Sequence, residues 1–197
     1  MIASCIPRRL APSPAPWAEL GREATPVAPL DEAWVRRWLV RQCAGADPVL
    51  DIGCGSGDLA AALARRGHRV TGIDQDGAQL AQARQRHAAL EVQWLRDDAE
   101  RLAHLPRATF AAATLVFVLH HLRRPPSGLA AAWRALAPGG RLLVAEMLPK
   151  GPNANDACHQ IQLKQWLAWL GALRPAGMRL TAPPSQEWVL ARLSKRA

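Results

Sequence analysis

The chain reads as an α/β protein, a mostly parallel sheet with helices packed on both faces. Three observations predict this. From Pro48 onward, short apolar runs alternate with amphipathic helical stretches. The first apolar run ends in a glycine-rich turn that opens a helix, and acidic residues end the next two runs. At 197 residues the chain has room for one full hydrophobic core, which we place in a single domain over residues 31–197.

Residues 7 to 29 hold six prolines, and a segment that repeatedly lacks an amide donor cannot be one helix. Residues 1–30 are therefore expected to form a proline-rich arm. Asp31 reads as the N-cap of a first helix, with Trp34, Val35, Trp38 and Leu39 at helical spacing and an end near Cys43. Val49–Ile52 is the first strand. Leu59, Ala60, Leu63 and Ala64 mark the helix after the turn. Arg69–Ile73 is the second strand, followed by a helix capped by Asp76 and carrying Leu80 and Ala83. Residues 90–95 alternate as a third strand, and Phe110–Val118 reads as a buried fourth. Ser127 is expected to cap a helix bearing Leu129, Ala132, Trp133 and Leu136, which Pro138-Gly139-Gly140 stops. A fifth strand spans 141–148. A helix is expected over 155–173, then strands at 178–180 and 188–193 joined by a turn at Pro183-Pro184.

Composition narrows the function classes. The longest mostly apolar stretch, Phe110 to Leu122, is too short to span a bilayer, so no membrane span is expected. The formal charge of +9 comes with a general arginine-rich bias and a basic C-terminal end, not with a nucleic-acid motif. A nucleic-acid partner is thus a secondary reading. The four cysteines form no CxxC pair, so neither a metal site nor a redox motif is expected, and a reducing cytoplasm is the simpler setting. The opening Ile2-Ala3-Ser4-Cys5 has the form of a lipoprotein cleavage box but lacks the charged and apolar regions that secretion needs.

The chemistry concentrates in Val49-Leu50-Asp51-Ile52-Gly53-Cys54-Gly55-Ser56-Gly57-Asp58. Glycines at a strand-to-helix turn let a ligand lie on the main chain. Its third glycine comes one residue earlier than the dinucleotide fingerprint requires, and it has no phosphate-loop lysine. Asp51 beside it would repel a pyrophosphate and suit a cationic amino-acid ligand. Asp74 ends the second strand, where an acid accepts hydrogen bonds from ribose hydroxyls. Asp98 and Ala99 follow the third, where an adenine edge would lie. Each alone could be a turn, a cap or a solvated acid; it is their order that argues for a ligand site.

With these residues in view, the chain resembles the class I S-adenosylmethionine-dependent methyltransferases, near the ubiquinone/menaquinone-biosynthesis type. The matching stretches are VLDIGCGSGDLA at 49–60, VTGID at 70–74, DDAERL at 97–102, LVFVLHHL at 115–122 and LAPGGRLLVAE at 136–146. The resemblance implies a Rossmann-like sheet of seven strands, the last two forming an antiparallel hairpin. It implies S-adenosyl-L-methionine as cofactor. Asp51, Gly53, Gly55 and Gly57 would line its methionine part and Asp74 would bind its ribose, with Cys54 and Gln75 also in the cofactor site. Asp98 and Ala99 would meet the adenine, and Leu115 with Val116 would flank the cofactor after the fourth strand. This chain departs from the family's frequent Phe-Asp at the fourth strand, having Phe110-Ala111.

The acceptor is less legible. Methyl transfer is an in-line displacement that needs alignment above all, and a base only where the acceptor must lose a proton. His120, His121, Glu146 and His159 are the candidates; the paired histidines could equally be packing the turn. The short link after the fifth strand favours a small or medium-sized acceptor. An RNA methyltransferase and a non-catalytic binding subunit of the same fold are the alternatives.

Overall fold

The computed structural model describes residues 32–147, 161–182 and 188–197. The expected proline-rich arm, the start of the helix expected at 155, the Pro183-Pro184 turn and His159 lie outside these residues.

Helix α1 (Glu32–Gln42) comes first. Then β1 (Val49–Ile52), α2 (Asp58–Ala64), β2 (Val70–Asp74), α3 (Gly77–Arg86) and β3 (Val92–Arg96) alternate. Strand β4 (Phe110–Val116) leads through a 3-10 turn at Leu119–His121 to α4 (Pro125–Ala135) and β5 (Leu136–Met147). Helix α5 (Leu163–Ala172) precedes β6 (Gly177–Thr181) and β7 (Trp188–Ser194).

These strands form one seven-stranded sheet in the order β3-β2-β1-β4-β5-β7-β6. The first five pair in parallel, with Val49 opposite both Val70 and Ala112. Strand β7 is antiparallel to β5 and to β6, which gives the C-terminal hairpin. The sheet's alternation sorts the core into two layers. Leu50, Ile52, Leu142 and Val144 join α4 and α5 on one face, whereas Val49, Leu143 and Ala145 join α1 and α2 on the other. The predicted fold class holds in full.

Local expectations were displaced in several places, and α5 begins only at Leu163, with residues 161–162 outside it. The fourth strand ends at Val116, because Phe117 has a φ of 56° and turns the chain out of the sheet. Ser127 does not cap α4: Pro125 and Pro126 occupy its first two positions, where a missing amide costs nothing, and Arg124 precedes them. Leu136 belongs to β5, where it pairs with Phe110, and not to the helix. By contrast Asp76 caps α3 as expected, its side chain accepting the Ala78 amide at 2.8 Å.

The order reverses direction at β1, whose neighbours are β2 on one side and β4 on the other. Open α/β sheets bind ligands outside the carboxyl ends of the strands at such a point.

Candidate active site

The glycine turn occupies that place, and its three glycines have different tasks. All three have positive φ: 68° at Gly53, 83° at Gly57 and 51° at Gly55. A Cβ on Gly53 would fall 2.4 Å from a Val118 methyl, and one on Gly57 would fall 2.4 Å from the Trp94 ring. These two glycines therefore pack the turn down. Above Gly55 the nearest atom is Gln79 Oε1 at 3.8 Å. Gly55 is the position where the main chain is left open to a ligand.

Asp74 binds the turn directly. Its Oδ2 accepts the Gly55 amide and its Oδ1 the Asp76 amide, both at 2.9 Å. Each carboxylate oxygen keeps a second lone pair for an external donor. Arg96 Nε donates to the Gln75 carbonyl at 3.0 Å and fixes the backbone after Asp74.

Asp51 sits beneath. It is buried, and Thr114 Oγ1 donates to its Oδ1 at 2.6 Å, while Oδ2 has no hydrogen-bond partner. Burial pushes its carboxyl up to about 6, and the charge of Asp74 adds to that; the Thr114 hydroxyl and the Ala60 amide pull the other way. Cys54 beside it is a free thiol, raised well above its ordinary range, first by burial and then by Asp51 and Asp74.

The two aspartates after β3 part company. Asp97 is buried and accepts the Asp98 amide at 2.7 Å and the His104 amide at 3.0 Å, so it braces the loop. Asp98 is exposed and faces a cleft of about 620 Å³ together with Gln75, Glu100, His121, Leu122 and Arg124. Ala99 packs against the core beside this loop. Leu115 points wholly into the core, and Val116 packs among the residues of the α1–α2 face.

Glu146 and His120, 26 residues apart, meet. Glu146 is fully buried; its Oε1 lies 2.6 Å from His120 Nδ1 and accepts the Met147 amide at 2.8 Å, and its Oε2 accepts the Leu119 amide at 3.0 Å. An ionised carboxylate only accepts, so it requires the proton on Nδ1 of His120 and leaves Nε2 as the lone-pair nitrogen of the neutral ring. His121 packs against this ring at 4.0 Å between centroids. Burial, and then the charge of His120, lower its pKa against the pull of Glu146.

Thr114, Trp94, Arg96 and Gln79 were not among the residues the motifs singled out. Only Thr114 left a signal, as a hydroxyl in an otherwise apolar strand.

Known proteins share this fold and parts of this sequence. Residues 49–140, just under half of the chain, match the family model described as a methyltransferase domain. An uncharacterised methyltransferase of Mycobacterium bovis is 41% identical over 124 residues, covering 63% of this chain and 60% of the relative. A ubiquinone biosynthesis O-methyltransferase of Pseudomonas entomophila is 36% identical over 130 residues, covering 65% and 54%. The chain thus spans little more than half the length of the curated relatives it matches. Among solved structures, an S-adenosylmethionine-dependent methyltransferase of Mesorhizobium loti superposes with a TM-score of 0.69 at 19% identity, covering 83% of this chain and 97% of that one. The cyclase SpnF superposes at 0.71 with 20% identity, covering 89% and 85%. The resemblance read from the motifs is therefore real: residues 49–140 match the methyltransferase domain family, on the Rossmann-like fold of the S-adenosylmethionine-dependent methyltransferases.

Proposed function

We propose that this chain binds S-adenosylmethionine and transfers its methyl group to a hydroxyl of a small acceptor. The observation that carries the donor half is the Gly55–Asp74 hydrogen bond, which joins an open backbone and a carboxylate at the carboxyl ends of β1 and β2. The adjoining cleft has a volume in the range of about 300–1,000 Å³ usual for small-molecule sites. The residues fit the cofactor's parts. Gly55 leaves main chain bare, Asp74 can accept from two ribose hydroxyls, and buried Asp51 with its free Oδ2 suits a cationic amino-acid end. Gln75 and Asp98 line the cleft, where they would meet the adenine. Bound there, the cofactor supplies an activated methyl group; the protein's work is alignment and exclusion of water.

For the acceptor half, His120 takes the hydroxyl proton at Nε2, and Glu146 positions it through Nδ1. A base held by a buried carboxylate is superfluous for a thioether or a free amine. It suits an oxygen acceptor that must lose a proton. The O-methyltransferase relative points the same way. His121, packed against His120, lines the cleft wall. The free thiols Cys43 and Cys54 support a reducing, cytoplasmic setting.

Calorimetric titration with S-adenosylmethionine and with its demethylated product tests the donor half, and both should bind. Asp74→Ala removes charged hydrogen bonds worth about 3 kcal/mol, so affinity should fall roughly 100-fold. Unchanged affinity in that variant would sink the assignment.

A further inference from the structure

A second cavity lies behind the loop that follows β3. Its volume is about 180 Å³, and its walls include Arg101, Arg107 and Arg134 over an apolar floor of Leu102, Leu105 and Ala131. No carboxylate lines it. Arg101 is also shared with the larger cleft, where Asp98 is 3.8 Å from its guanidinium. Among the described residues, the guanidinium of Arg107 makes no hydrogen bond or ion pair.

The three arginines are exposed, and only Arg101 has a carboxylate near it, so their charges sum to a positive potential over the cavity that an anion would meet. The local main chain is also unusual. Leu102 and Ala108, on either side of the cavity's loop, have φ of 48° and 53°, a left-handed conformation uncommon outside glycine. Arg134 Nη2 donates to the Arg101 carbonyl at 3.4 Å, and the Ala108 amide to the Arg134 carbonyl at 3.0 Å. These bonds hold the three arginines on one loop–helix frame.

The negative end of α4 would oppose an anion here, but its carbonyls are occupied. Arg134 O and Ala135 O accept the Ala108 and Thr109 amides. Trp133 O and Leu136 O accept from Lys195 Nζ at 2.9 and 2.6 Å, which sets a fourth cation at that helix end.

We propose that Arg101, Arg107 and Arg134 form a binding site for a small oxyanion, with phosphate as its chemical type. Planar guanidinium forks match phosphate oxygens in pairs, and the cavity has room for such a group.

The probe is inorganic phosphate, titrated into the full chain by calorimetry with chloride adjusted to constant ionic strength. Saturable binding in the millimolar range is expected, weakened about tenfold or more in Arg107→Gln/Arg134→Gln. Because Arg134 also holds the loop, Arg107→Gln alone is the second variant, and it should weaken binding while leaving the thermal midpoint in chloride unchanged. Tighter binding of phenyl phosphate than of phosphate would show that the site takes a phosphoryl group on an organic body. The reverse order would show the free ion. Absence of saturable phosphate binding up to about 20 mM, or binding that survives in both variants, would overturn the site.

Discussion

At the scale of single residues, hydrogen-bond partners separate tasks that the motif left merged. Asp51, Asp74, Asp97 and Asp98 all stand at strand ends. Asp97 takes two backbone amides inside the fold, whereas Asp74 takes two at the rim and keeps lone pairs outward. The His120–Glu146 pair belongs at this scale too. If His120 is the base, His120→Gln should lower methyl transfer by about 100-fold or more while cofactor affinity stays within about twofold. Glu146→Gln keeps the size of the side chain but removes the carboxylate that orients His120, so kcat should fall by about tenfold or more while cofactor affinity holds. A variant that lost only stability, with kcat unchanged, would reduce Glu146 to a packing residue.

Among elements, strands and helices were legible wherever periodicity alone set them. The five parallel strands of the sheet core, α2 and α3 all follow from apolar spacing and from Asp76. Long-range geometry was not legible. Nothing in the spacing of His120 and Glu146 says that β5 brings a carboxylate under the turn after β4. The same holds for Leu115, which the motif places beside the ligand but which the alternation of β4 turns into the core. Ser127 failed as a cap because two prolines before it fit the first helical turn better. Trp94 shows a dependence between elements that invites a test. Its ring fills the space above Gly57 and Gly72, within 3 Å of where their Cβ atoms would be. Gly57→Ala should therefore cost on the order of 2 kcal/mol in chemical denaturation, since it adds both a clash and a strained φ. Trp94→Ala in the same chain should recover only the clash part.

For the whole molecule, one buried carboxyl ties stability to pH. Asp51 is raised from 3.8 to about 6 in the fold, so its folded form prefers the proton. Its favourable contribution is complete below about pH 4 and is lost as the pH rises through about 6. The amount at stake is on the order of 3 kcal/mol. Asp51→Asn cannot ionise. Urea midpoints of the two proteins should converge near pH 4 and separate, in favour of the variant, by pH 7. A separation independent of pH would mean that Asp51 titrates normally. Among the described residues no helix is long and apolar enough to cross a membrane.

The contact between Trp94 and the glycine turn reaches beyond the cost of one side chain. Strand β3 is an edge of the sheet, a place where amides ordinarily open to solvent at low cost. Here that edge is clamped to the loop that would hold the donor. The two must open as one cooperative unit, so a ligand that quiets the turn also lends its binding energy to the sheet's margin.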